Sequence, residues 1–545
     1  MKLSNLVIGC GVLGLLLASS CSKDKLLQNS PSIITADNLF VNKEGFENGL
    51  NGLYNEARRL YSGLDYGSSN DLMMEESVIG VDNAYGNWRA PTEDIFNLWG
   101  SYNEASAGYF NSLWAWLYQT MDAINTIVDR ADNPDIDWTE DEKNEILAEA
   151  RCMRAWCYRH LTFLWGDVPL AWHEASGTNI KTDWQRTPVA EIRDSMESDW
   201  LFAEKYLPEV SDDDGKLIKG VAQTYLAELY LTEGKYQQAK EEALKVTTNP
   251  NYALITARYG VDKSQPGTPY TDMFIDGNSD RSQGNTEALW VFQNEQNVTG
   301  GEGYNILGRY WINRYYSLKV KGTNGKSTNP IAVTNDNGGR GIGRLGPTRY
   351  ALDLYDPSDD RGSSYAWRWY WIINNAAGVP AGYALGDTVY LTRNKDEALT
   401  NPDWPSTRKW DHVNQIDPSA ANQYNDVIYL RSADAWLLLA EADFDLQDNQ
   451  GAADAINALR TRAHAPLVSP SDITLDFILD ERSRELFSEE ERRYTLLRTH
   501  TWLRRTKAYN KIAGPNIAPR DTLFPIPINE INANISYPMR QNPGY

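Results

Sequence analysis

Residues 227–246 read AELYLTEGKYQQAKEEALKV, and residues 440–459 read AEADFDLQDNQGAADAINAL. Each stretch begins Ala-Glu, crosses a short polar turn, and places an alanine twelve residues after the first, at Ala239 and Ala452. Small residues at fixed places let paired helices approach closely, which is the pattern of a tetratricopeptide helix–turn–helix. Two copies do not make a solenoid alone, so the helical segments before Pro208 are expected to supply two further, more degenerate pairs. The chain is expected to be mainly α.

Upstream of the repeat the helical period is plain. Phe46, Leu50, Leu53 and Ala57 recur at three- and four-residue spacing in a segment that begins near Lys43. Leu113, Leu117, Met121, Ile124 and Ile127 form a second stripe. Thr139 and Glu142 have the spacing of a capping box that opens a third helix, and Gly166 and Pro169 close it. Thr187 is expected to cap the next helix, with Pro188 in its first turn. Between the two repeat copies, over about 251–425, Gly, Asn, Asp and aromatic residues dominate and strand-like runs such as EALWVFQ and TVYLT appear. This reads as a loop-rich insertion on a helical frame, the usual place for binding residues. The run SSYAWRWYW, 363–371, alternates as a strand does, and its four-ring face is expected to brace the fold.

The chain carries 74 acidic against 52 basic residues, a formal charge of −22. Such a surface repels nucleic acid and anionic lipid, and on this balance a neutral ligand fits better than an anionic one. Nineteen Trp and 31 Tyr, within 41% apolar residues, exclude disorder as the reason for the acidity. Residues 1–20 read as a secretory signal: Lys2, an apolar core too short to span a bilayer comfortably, then Ala18, Ser19 and Ser20. Small residues directly before Cys21 resemble a bacterial lipoprotein signal, with Cys21 as the lipidated start of a tether and N-terminal segment over 21–42. Cys152 and Cys157 lie five apart on a helical segment, point to different faces, and are not expected to pair.

Many segments in order resemble the SusD/RagB family of surface lipoproteins that work with TonB-dependent transporters. They include LLQNSPSIITADNLFVNKEGFENGLNGLY, AEARCMRAWCYRHLTFLWGDVPL, the Asp360-Arg361 turn, VIYLRSADAWLLLAEADFDL, ILDERSRELFSEEERRYTLLRT and the terminal LFPIPINEINANISYPMRQNPGY. The resemblance implies a single domain over 43–545 in which four tetratricopeptide-like helix pairs pack against an irregular loop-rich subdomain with short strands. The scaffold would occupy mainly 43–250 and 426–510, and the ligand-binding insertion about 251–425. It implies a non-catalytic, lipid-anchored protein at the outer-membrane surface that captures oligosaccharide or polysaccharide. The captured glycan would pass to a SusC-like TonB-dependent transporter. Some relatives capture peptides instead. A surface glycoside hydrolase on the same scaffold is the alternative of another class.

Candidate ligand residues follow from sugar chemistry. A Trp or Tyr stacks under the apolar face of a sugar ring, while Asn and Arg serve its hydroxyl edges. Loop-borne rings beside such groups are Tyr85, Asn87, Trp88, Arg89 and Trp99, and in a second stretch Tyr304, Asn305, Arg309, Tyr310 and Trp311. No catalytic motif is present, and no cofactor is expected. Asp276, Asn278, Asp280 and Glu287 fall at positions 1, 3, 5 and 12 of a calcium loop. Arg281 stands where that loop needs glycine, so the stretch reads as an acidic turn before a strand.

Overall fold

The computed structural model describes residues 35–62, 75–87, 91–176, 180–298, 305–392, 402–411, 416–420 and 422–545. The signal segment, Cys21, Trp88, Arg89 and Tyr304 lie outside these residues. Eight long helices form the frame: α1 (Lys43–Ser62), α2 (Gly108–Arg130), α3 (Glu140–Trp165), α4 (Val189–Tyr206), α5 (Lys219–Thr232), α6 (Tyr236–Thr247), α7 (Ser432–Asp445) and α8 (Asn449–Arg462). They pack as four successive pairs, α1 with α2, α3 with α4, α5 with α6 and α7 with α8, each pair touching the next. The chain leaves the frame after α6 and rejoins it at α7, so the last two pairs are neighbours in space across nearly two hundred residues of sequence.

The periodic stripes are the buried faces. Phe46, Leu50, Leu53 and Ala57 of α1 and Leu113, Leu117, Met121, Ile124 and Ile127 of α2 are all buried. The capping box of α3 forms, with Glu142 N donating to Thr139 Oγ1 (3.2 Å) and Thr139 N to Glu142 Oε2 (2.8 Å). Gly166 ends α3 at φ +71°. The start of α4 differs from expectation: the N-cap position falls on Pro188, which has no side-chain acceptor, while Thr187 pairs its backbone N with Val168 O (2.9 Å). The orphan Val189 N–H is taken instead by the Asp167 carboxylate (2.8 Å). In the two repeat copies Ala227, Ala239, Ala440 and Ala452 are fully buried. The turn residue seven places after the first alanine is left-handed in both, Gly234 at φ +72° and Gln447 at φ +64°. Each Ala-Glu carboxylate receives an arginine: Arg159 Nη2 donates to Glu228 (2.9 Å) and Arg498 Nη2 to Glu441 (2.9 Å).

The irregular lobe is strung on two-stranded antiparallel ribbons; besides a short one that pairs Val320–Lys321 with Ser327–Thr328, the strands are β1 (Ala84–Gly86), β2 (Ala288–Phe292), β3 (Leu345–Pro347), β4 (Trp367–Arg368), β5 (Tyr370–Ile372), β6 (Thr388–Tyr390), β7 (Ser406–Thr407) and β8 (Val427–Arg431). The pairs are β1–β3, β2–β8, β4–β7 and β5–β6. In β2 and β8 every residue is buried, and Trp290 packs edge-on to Tyr429 (5.1 Å) against the frame. The SSYAWRWYW run divides between β4 and β5, with Trp369 between them. Trp367 and Trp371 are buried, the first against Phe487 (5.0 Å) and the second stacked on Tyr315 (4.2 Å), while Tyr365 is exposed. The brace is therefore Trp367, Trp369 and Trp371 rather than four rings.

Lobe and frame meet across a buried ion cluster. Arg361, Arg431, Arg460, Arg462 and Lys409 are paired with Asp359, Glu287, Glu481, Glu485 and Glu489. The helix Leu475–Leu486 supplies Glu485, whose carboxylate takes Arg361 Nη1 (3.0 Å), Arg431 Nη1 (2.6 Å) and Arg462 Nη2. Burial opposes ionisation of Glu485, but these arginines hold it far below the usual carboxylate range.

Candidate functional site

The segment 80–87 carries the first group of candidate residues, and the C-terminal helices hold it. Asp82 is fully buried and accepts from Arg492 Nε (2.9 Å), Arg492 Nη2 (2.8 Å) and Arg505 Nε (2.7 Å). Trp502 Nε1 donates to Gly80 O (3.1 Å), and Asn510 Nδ2 donates to Val81 O (2.8 Å) and Ala84 O (3.0 Å). Asn97 closes both backbone groups of Gly86, at 3.0 and 2.8 Å. This fixes β1, which pairs with β3 so that Tyr85 lies opposite Gly346.

The second group reaches the same place through one residue. Asn87 N donates to Arg344 O (2.5 Å), while Arg344 Nη1 donates to Tyr310 Oη (3.2 Å) with its guanidinium over the Tyr310 ring (5.1 Å). Two stretches more than two hundred residues apart thus converge at Arg344.

Where the individual side chains go corrects the picture of a sugar platform. Tyr85, Asn87, Trp99, Asn305, Tyr310 and Trp311 are all buried, and only Arg309 among the described candidates is partly exposed. Trp99 stands at φ +49° edge-on to Trp502 (5.4 Å), under the Arg493 guanidinium. Trp311 meets Phe487 edge-on (5.3 Å). Asn305 exchanges backbone hydrogen bonds with Gln423 (2.9 Å each) and donates from Nδ2 to Asn425 O (3.0 Å). These rings brace the face from below, because loops crossing a frame bury their large side chains beneath themselves.

Three of the calcium-loop residues are likewise committed elsewhere, and Asp276 is exposed. Asn278 holds Val261 N and Asp272 O, and Glu287 is bound by Arg431 and Arg462. Asp280 accepts from Gln293 Nε2 (2.7 Å) and shares a hydrogen bond with Asp426. Burial and the neighbouring Asp280 charge push the Asp426 carboxyl up to about 8. Among the described residues no three His, Cys, Asp or Glu side chains converge on one metal position.

Residues not singled out in sequence complete the face. The loop 340–344, Arg-Gly-Ile-Gly-Arg, folds back onto Arg309, whose carbonyl accepts from Ile342 N (2.8 Å) and Gly343 N (3.2 Å). It brings Arg340 and Arg344 beside Arg309. The alternation of arginine and glycine was the available signal: two glycines between two arginines mark a backbone that must approach another closely. A separate cleft of about 690 Å³ lies where α1 meets 212–216 and the end of β2, lined by Tyr54, Arg58, Asp213, Lys216 and Gln293, and includes none of the candidates.

A frame of four tetratricopeptide-like pairs carrying an irregular, ribbon-strung lobe defines a class of scaffold that known proteins share. The signature described as "SusD family" matches residues 286–545, and the one described as "Starch-binding associating with outer membrane" matches 47–231. The chain belongs to the SusD/RagB family. It is similar to SusD-like protein P25 of Formosa agariphila, 24% identical over 98% of this chain and 97% of that one. Among solved structures it is similar to a laminarin binding SusD-like protein (TM-score 0.66, 19% identity, 92% of this chain, 99% of that one). It is also similar to surface glycan-binding protein A from Bacteroides thetaiotaomicron (TM-score 0.68, 17% identity, 93% of this chain, all of that one). Among the described residues no helix is long and apolar enough to cross a membrane.

Proposed function

We propose that the chain is a glycan-capturing lipoprotein of the outer-membrane surface. The signal 1–20 is removed, Cys21 carries the lipid, 21–42 is the tether and N-terminal segment, and 43–545 is one binding domain. The protein holds an oligosaccharide without chemistry and delivers it to a SusC-like TonB-dependent transporter. The observation that carries this reading is the family membership, in which one matching signature is described as starch-binding and two structural relatives are named for glycan binding. A hydrolase reading draws no support from Asp280 and Asp426, because two carboxyl groups hydrogen-bonded to each other leave no room for a glycosidic bond between them.

The test is isothermal titration of the purified chain against polysaccharides and peptides, with reducing-end release followed in parallel. Saturable binding of a glycan with no release of sugar is expected. Binding of peptides alone, or sustained release of reducing ends, would overturn the reading. Co-purification of a TonB-dependent transporter from outer membranes tests delivery.

A further inference from the structure

We propose that Arg309 and the Arg340–Arg344 loop form a cradle for the negative substituent of an acidic glycan, a uronate carboxylate or a sulfate ester. The proposal rests on the glycan reading above and names the class of sugar.

The loop is built for close approach. A Cβ on Gly341 would sit 2.3 Å from Ile312 O, and Gly343 stands at φ +68° with its missing Cβ 3.0 Å from Asn313 Cα. Glycine is therefore required at both positions, and the arginines flanking them are delivered to the same backbone, that of Arg309. Arg344 is oriented by Tyr310, through both the ring and the hydroxyl.

Arg309 is the informative member. It is half-buried, its Nε is enclosed without a hydrogen-bond partner, and among the described residues it has no ion-pair partner. Burial, and then the charges of Arg340 and Arg344, hold its guanidinium below its usual range. An arginine stays charged regardless, so the gathered cations are a standing electrostatic cost that a bound anion offsets.

The contrast with the rest of the molecule is sharp. Arg361, Arg431, Arg462 and Arg492 are buried and matched to carboxylates. Arg340 is exposed and, among the described residues, has no ion-pair partner. Asp417, whose charge reaches Arg340, accepts at Oδ1 from Ser419 N (2.8 Å) and Oγ (2.6 Å). A chain with 22 excess negative charges that sets Arg309 and Arg340 on one face without carboxylate partners has there the forked donors that suit a carboxylate or sulfate. Its net charge, which argued for a neutral ligand, describes the rest of the surface.

The experiment titrates the purified chain with matched polymers: polygalacturonate against its full methyl ester, and a sulfated galactan against its desulfated form. Peptides of matched charge form a third arm. At least one anionic polymer is expected to bind about tenfold or more tightly than its neutralised partner, with affinity falling between about 50 and about 300 mM NaCl as screening increases. The polymer pair that discriminates distinguishes carboxylate from sulfate. Arg309→Gln and the exposed Arg340→Gln should each remove about tenfold of that preference without altering the melting temperature, and Arg309→Lys should restore part of it. Equal affinity for charged and neutralised polymers, or for wild type and both Gln variants, would overturn the cradle while leaving glycan capture intact. Failure to bind any anionic polymer also overturns it, and binding of peptides alone removes the glycan reading itself.

Discussion

Replacing Asp82 by Asn tests whether the ion pairs under the candidate face hold it in place. Asp82 is fully buried between two guanidinium groups, with three hydrogen bonds of 2.7 to 2.9 Å. Burial alone would favour its neutral form, but Arg492 and then Arg505 hold its carboxyl below the usual range. Asn keeps the shape and deletes the charge, leaving Arg492 with Glu490 and Arg505 with the partly exposed Asp476 and Asp480, and breaking a buried pair of this kind costs about 3–5 kcal/mol. With an unfolding entropy of about 2.1 cal/mol/K per residue, a chain of this length carries about 1 kcal/mol/K, so the melting temperature should fall by about 3–5 °C. Asp37→Asn is the internal control: Asp37 pairs with Arg130 at 2.8 Å but its side chain is 79% exposed, so the shift should stay below about 1 °C. Differential scanning calorimetry at pH 7 gives both numbers. The sign also fixes the pH dependence. A depressed folded-state pKa stabilises above the unfolded value of about 3.9 and ceases to do so as pH falls through the folded one. The gap between wild type and Asp82→Asn should therefore be full at pH 7 and narrow in acid. A variant that melts within about 1 °C of wild type, or no lower than Asp37→Asn, would refute the argument.

Other outcomes can be checked with the same instruments. Gly343→Ala should destabilise by about 1–2 kcal/mol from its positive φ, and by more than Gly325→Ala, which is also left-handed at φ +79° but meets nothing within 4 Å; paired chemical denaturation reads the difference. Asp426→Asn should flatten the decline of stability as pH rises from about 4 towards about 8, because the raised folded pKa keeps a proton that the unfolded chain has released. Melting temperatures at pH 5 and 8 test this, and an unchanged slope would contradict the shared proton. Cys21→Ala should abolish palmitate labelling and move the protein out of the membrane fraction.

The frame was legible because helix packing writes a period into the chain. The Phe46–Ala57 and Leu113–Ile127 stripes, the Thr139–Glu142 box and the paired alanines each record a local requirement at fixed spacing. The start of α4 was misread because its cap comes from Asp167, twenty-two residues away. The candidate face was half legible. Tyr85, Tyr310 and Trp311 have the composition of a binding loop, yet whether a ring faces outward depends on what lies beneath, and Phe487 is far away in sequence. Composition is silent on local charge in the same way, since a sum over 545 residues cannot register three arginines brought together by two glycines.

Glu485 binds Arg361 of the lobe, Arg431 at the rejoining strand and Arg462 of the last helix pair, which makes it a keystone rather than a rivet. Removing either part would strip the other of ion partners and uncover the apolar surface packed beside them. The lobe is consequently not a cassette. A chain trimmed to the helices should fail to fold, and a lobe borrowed from a relative will seat only if it brings its own equivalents of Asp359, Arg361 and Lys409.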